Sequence, residues 1–223
     1  MPVLNPVNDA DKVCEAVSNC ALCTICGVLD KGNYTSCTKA LRSNFPKNWA
    51  PPSTVDEMLG AYWEGEQQRP PASNGRETLD HQVNGLLLVL SRIKTGGAEV
   101  IVDLMGSSDQ PLALDDARTL MEACPSGTRF AYMIGRWEVL LGPGQITAAH
   151  WLTAELNDDG LKFIDYQMDV MEKNRCKVSR LQHVRPSRLN APQITDGPMR
   201  AFGEPPDPET DVAVVISYTR VDG

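Results

Sequence analysis

One reversal of the chain constrains its fold more than any other feature. Asn157-Asp158-Asp159-Gly160 has the residues a tight turn needs, and runs of strand-like composition flank it, starting at Gln145 and ending at Gln167. With those four residues as the loop, Leu156 faces Leu161, Ala154 faces Phe163, Leu152 faces Asp165 and His150 faces Gln167. Side chains alternate along a strand, so His150, Leu152, Ala154 and Leu156 share one sheet face with Leu161, Phe163, Asp165 and Gln167. His150 and Asp165 are then diagonal neighbours, about 7–8 Å apart at the backbone and closer at Cβ. At that range a carboxylate can hold an imidazole by one ring nitrogen. Such a pair is half of a nucleophilic site.

The candidate nucleophile lies near the start of the chain. Asn19 caps a predicted helix that runs from Cys20 to Asp30, with Cys20 in its first turn. A helix N-terminus favours the thiolate and offers N–H groups to an oxyanion. Cys20, His150 and Asp165 thus make a Cys–His–Asp version of the catalytic triad. Cys20, Cys23 and Cys26 recur every three residues, the ordinary pattern of a buried helix face, so at least two of them are expected to pack rather than react. Cys20 is the preferred nucleophile because it follows the cap, with Cys23 the alternative one turn deeper. A metal is the competing use of the cysteines, since Cys14, Cys20, Cys23, Cys26 and Cys37 fall within 24 residues. An iron–sulfur ligand run would continue with a further cysteine where Asp30 stands, and zinc knuckles need two separated ligand pairs. The reading adopted is therefore no metal and no cofactor.

Four motifs carry a resemblance. Asn19-Cys20-x-x-Cys23, Pro125-Ser126-Gly127 before an apolar strand, His150-Trp151, and Phe163-Ile164-Asp165-Tyr166-Gln167 together resemble the papain-fold toxin domain of bacterial polymorphic toxins, which is related to effector glutamine deamidases. The order Cys, His, Asp agrees, as do the fourteen residues between His150 and Asp165; Tyr166 stands where that family usually has proline, and the segment before His150 lacks its common glycine. The resemblance spans roughly residues 15–170. It implies an α+β, papain-like fold with the nucleophile helix packed on an antiparallel sheet that carries His150 and Asp165. It also implies a target protein in a host or rival cell and a cognate immunity protein.

Composition bounds the rest. A chain of 223 residues with 42% hydrophobic and 22% charged residues suits one globular domain. Its net charge of −8 disfavours nucleic acid and anionic membranes as partners. Apolar runs such as Leu86–Leu90 fall far short of a membrane span. Seven cysteines, an odd number, without a Sec signal at Met1-Pro2-Val3-Leu4, argue for reduced thiols. Delivery by a specialised secretion system and action in the target-cell cytosol are the corresponding expectations.

The expected order is a single domain over 1–223 with a core at about 9–181, an insertion at about 42–76, and a Pro-rich segment with an edge strand in 182–223. Within it, helices are read at 9–18, Val55–Trp63, Arg76–Ile93 and Leu114–Cys124. Strands are read at Ala98–Leu104 (buried), Thr128–Ile134, Trp137–Leu141, Cys176–Leu181 and Asp211–Tyr218 (edge). His81 and His183 are read as surface histidines. Three functions fit. The first is a glutamine deamidase, with Gln167 or Asn19 assisting the oxyanion. The others are a cysteine peptidase with the same triad and a non-enzymatic immunity or adaptor protein.

Overall fold

The computed structural model describes residues 7, 19–29, 55–92, 99–139, 143–167 and 192–221. Among these residues the fold is mixed α+β, with four α-helices and a seven-stranded antiparallel sheet. The helices are α1 (Cys20–Leu29), α2 (Val55–Gln67), α3 (Gly75–Arg92) and α4 (Leu114–Glu122). The strands are β1 (Glu99–Met105), β2 (Leu112–Ala113), β3 (Arg129–Glu138), β4 (Gln145–Asn157), β5 (Gly160–Asp165), β6 (Gln193–Thr195) and β7 (Asp211–Val221). Their order is β1-β7-β3-β4-β5-β6, with the short β2 also paired to β7.

Strand alternation splits the core into two layers. Ala131, Met133, Trp151, Val214 and Ile216 point to one face, where α1, α2 and α3 cover them with Leu22, Ile25, Leu59, Val83 and Leu86. Phe130, Tyr132, Ile134, Leu152, Ala154, Ala213 and Val215 point to the other, against Ala117 and Met121 of α4. On α3 the buried Leu79, Val83, Leu86 and Leu90 recur at helical spacing. Asn74 caps that helix by accepting the Glu77 amide at 3.0 Å, while Glu77 reaches back to the Ser73 amide at 2.7 Å. A Cβ at Gly85 would fall on the Leu59 carbonyl, so α2 and α3 meet there backbone to backbone.

Several expectations need correction. The strand 211–218, expected at an edge, is central: β7 pairs with both β1 and β3. Its near-continuous run Val212-Ala213-Val214-Val215-Ile216 is what a strand covered on both faces requires. The strand at 98–104, expected to be buried, is the sheet edge instead, with Ile101 48% exposed. Two short strands predicted at 128–134 and 137–141 are one strand, β3, because Gly135 marks a bulge and not a break. The 42–76 insertion contains core: helix α2 buries Leu59 and Tyr62, and the Tyr62 hydroxyl accepts from Arg92 at 2.7 Å. Helices Val55–Gln67, Gly75–Arg92 and Leu114–Glu122 otherwise match their predicted places. The expected helix at 9–18, the strand at 176–181 and His183 lie outside the described residues.

Candidate active site

The predicted hairpin forms in the predicted register. Leu156 pairs with Leu161 and Ala154 with Phe163, while Asn157 pairs with Gly160 so that only Asp158 and Asp159 make the loop. Gly160 has φ +102°, the left-handed region that glycine tolerates best. Ladder pairing between β4 and β5 runs from the turn as far as Thr153 and Ile164. Beyond that point His150 Nε2 and Asp165 Oδ2 meet at 2.6 Å, both side chains buried.

A bulge sets the approach to His150. Ile134 pairs with His150 and Arg136 with Thr147, so Ala148 and Ala149 together oppose Gly135. Ala148 takes φ +49°, and a Cβ on Gly135 would collide with Ile146 and the Thr147 carbonyl. The extra residue bends β4 immediately before the histidine.

Helix α1 lies along β4 and brings Cys20 to that point. The Asn19 carbonyl accepts the Cys23 amide at 3.0 Å, the first helical bond, so Asn19 stands at the cap as predicted. Thr153 Oγ1 donates to the Thr24 carbonyl at 3.4 Å and Arg129 Nη1 to the Val28 carbonyl at 3.3 Å, which run the helix in the direction of β4. Gly27 permits the close approach, because a Cβ there would meet Thr153 and Tyr166. At the other end of the helix the Cys20 thiol is hydrogen-bonded to His150. Since Nε2 of the ring is held by Asp165, the thiol partner is Nδ1. Cys20, His150 and Asp165 are therefore brought together from positions 130 and 15 residues apart in the chain.

Electrostatics favour an ion pair. Burial pushes the His150 pKa down, but the charge of Asp165, its hydrogen bond and the Cys20 thiol outweigh burial and raise it from 6.5 to about 10. The upward shift favours the protonated imidazole, and an imidazolium beside a thiol stabilises the thiolate. The remaining Asp165 oxygen, Oδ1, accepts the Gln167 amide at 2.8 Å. The Gln167 side chain donates to Asn19 Oδ1 at 3.4 Å, and the Cys23 thiol donates to the same oxygen at 3.5 Å. One asparagine thus ties the start of α1 to the residues just past the end of β5. Residue spacing carries no trace of that link.

Two features were read differently from sequence. Cys26 is disulfide-bonded, whereas Cys20, Cys23 and Cys124 are thiols. The expectation of reduced thiols throughout therefore fails at Cys26, and that sulfur is not available as a metal ligand. His81 is buried on α3 and not at the surface, with Nδ1 2.7 Å from Glu64 Oε1 and the Trp63 ring 4.7 Å away. Its carboxylate partner comes from α2, which sequence reading had placed in a loop-rich insertion. Comparison with known proteins finds no matching protein family, no similar curated protein and no similar solved structure.

Proposed function

We propose that this chain is a papain-like cysteine amidohydrolase, a protein glutamine deamidase delivered as a toxin or effector. The single observation that carries the reading is the contact of a helix-start thiol, Cys20, with an imidazole, His150, that a buried carboxylate, Asp165, holds by its other nitrogen. In the proposed reaction the Cys20 thiolate attacks the carboxamide carbon, and the amides of the first turn of α1 stabilise the oxyanion. The His150 imidazolium gives its proton to the departing ammonia, leaving a thioester. His150, now neutral, takes a proton from water as it attacks, and the carboxylate product leaves with Cys20 restored. Asp165 fixes the ring tautomer throughout, and the Gln167 amide holds Asp165 in turn.

The wider proposals follow from the resemblance of the motifs around Cys20, His150 and Asp165. They are a target protein in a host or rival cell, a cognate immunity protein, delivery by a specialised secretion system, and action in the target-cell cytosol. The test is iodoacetamide labelling across pH with peptide mapping. Fast labelling at Cys20 that persists well below pH 8 and slows in His150→Ala supports the triad. Uniformly slow labelling of Cys20, Cys23 and Cys124 leaves a non-enzymatic binding protein as the better account. With a target in hand, intact mass separates the two chemistries. Deamidation exchanges NH2 for OH, adding about one dalton, whereas a peptidase yields fragments.

A further inference from the structure

We propose that the open edge of β1 is a dimer interface, at which a second copy of this chain adds its own β1 in antiparallel register centred on Val102. The interface lies outside the Cys20–His150–Asp165 site and does not depend on the chemistry read there.

Two observations mark the edge as open. Among the described residues β1 pairs with β7 alone, continuously from Glu99–Val221 to Met105–Val215, so alternate residues turn their N–H and C=O groups outward. Edge strands are ordinarily blunted by shortness, proline, lysine or a bulge. The opposite edge, β6, is only three residues long. β1 has seven, Glu99-Val100-Ile101-Val102-Asp103-Leu104-Met105, with no proline, lysine or bulge among them. It also leaves Ile101 and Leu104 in contact with water, at 48% and 37% exposure.

The placement of charge says what fits there. A two-fold axis perpendicular to the sheet continues each face of one copy into the same face of the other, so residues of like parity meet. Centred on Val102, all seven residues pair: Val102 meets its own copy, Val100 meets Leu104, Ile101 meets Asp103, and Glu99 meets Met105. Both exposed acids then oppose apolar side chains. A centre at Ile101 would set Glu99 against Asp103, and a centre at Asp103 would set that aspartate against itself; like charges directly opposite are destabilising. The two acids therefore select one register. In it Val100, Val102 and Leu104 form an unbroken apolar row with their copies, and Val100 and Val102 already pack on the first core layer. The contact is isologous and closed, since it leaves no β1 edge for a third chain. Each copy carries a net charge of −8, so salt should strengthen the association by screening repulsion.

The experiment is sedimentation velocity of the full chain across concentration and salt, and the expected result is a monomer–dimer equilibrium that salt shifts toward the dimer. Ile101→Glu sets a carboxylate opposite Asp103 on both sides of the axis and is expected to weaken the dimer roughly 2- to 30-fold. Ile101→Lys makes two opposite-charge pairs instead and is expected to associate at least as well as wild type. Under mild oxidation Val102→Cys should form a covalent dimer, because its copy stands directly opposite at about 4.5–5.5 Å between Cα atoms, within disulfide reach. Val100→Cys should not, since its own copy lies further along the ladder. A chain that stays monomeric at every concentration and salt would overturn the proposal. So would a dimer that Ile101→Glu and Ile101→Lys weaken equally, or one that Val102→Cys fails to cross-link. A monomer that binds a peptide of alternating lysine and valine, and releases it as salt rises, would replace the second copy with a cationic strand of another protein.

Discussion

Replacing Gly27 with alanine should damage the proposed chemistry more than the fold. A Cβ at this position would stand 2.7 Å from Tyr166 Cε2 and 3.2 Å from Thr153 Cβ, and closer still to Thr153 Oγ1. Carbon atoms rest at about 3.5–4.0 Å, so relief demands roughly 1 Å of movement between α1 and β4. Overpacking of this kind costs about 1–3 kcal/mol. Alanine's better helix propensity returns up to about 1 kcal/mol, leaving a net loss of roughly 0–3 kcal/mol. The same movement carries Cys20 away from His150. A displacement of about 1 Å at a nucleophile can lower a rate by roughly 10²-fold. Gly27→Ala is therefore expected to slow Cys20 alkylation at pH 6 severely while lowering the melting temperature only modestly. Thr153→Ala in the same chain should recover part of both losses, because it removes one of the two groups in the way. Alkylation and melting that both stay at wild-type values would refute the argument that Gly27 seats the nucleophile helix on β4.

Three further outcomes are expected. His150 is less protonated in the unfolded chain, at 6.5, than in the folded one, at about 10, where Asp165 and Cys20 outweigh burial; its contribution to stability is complete below pH 6.5 and is lost as pH rises toward 10. Denaturant midpoints should fall over that window in wild type and more shallowly in His150→Gln. Ala148→Gly should stabilise the fold by roughly 0.5–1 kcal/mol, since φ +49° penalises a side chain, and urea melts would register it. Ile216→Ala on central β7 should cost roughly 2–5 kcal/mol, whereas Ile101→Ala on the exposed face of β1 should stay within about 0.5 kcal/mol; equal losses in thermal denaturation would contradict the strand order.

Local chemistry was the legible part of this sequence. The Asn-Asp-Asp-Gly turn dictates its own register, and that register alone puts His150 and Asp165 on one face. The capped start of α1 was legible for the same reason: Asn19 and the residues it caps are neighbours in the chain. Sheet order was not. Val100-Ile101-Val102 and Val214-Val215-Ile216 are almost the same composition, yet one run lies at an edge and the other in the middle. Nothing in a strand's own residues names its neighbour. The Asn19–Gln167 bond, which spans 148 residues, was illegible because it depends on a distant partner. Gly27 and Gly135 did carry a signal, a glycine inside an otherwise regular element, and each turned out to mark a close backbone approach.

The placement of β7 has a consequence for the order of assembly. β1 and β3 do not pair with one another; each pairs with β7, so the sheet is joined through a strand that begins only at Asp211. Arg129 waits for Tyr218 and Glu99 for Val221. Until that strand inserts, β1 and the β3–β4–β5 hairpin unit are separate pieces with open edges facing a gap. Such distant pairings make for slow folding. Cys20, His150 and Asp165 thus all precede in the chain the strand that joins the two halves of the sheet.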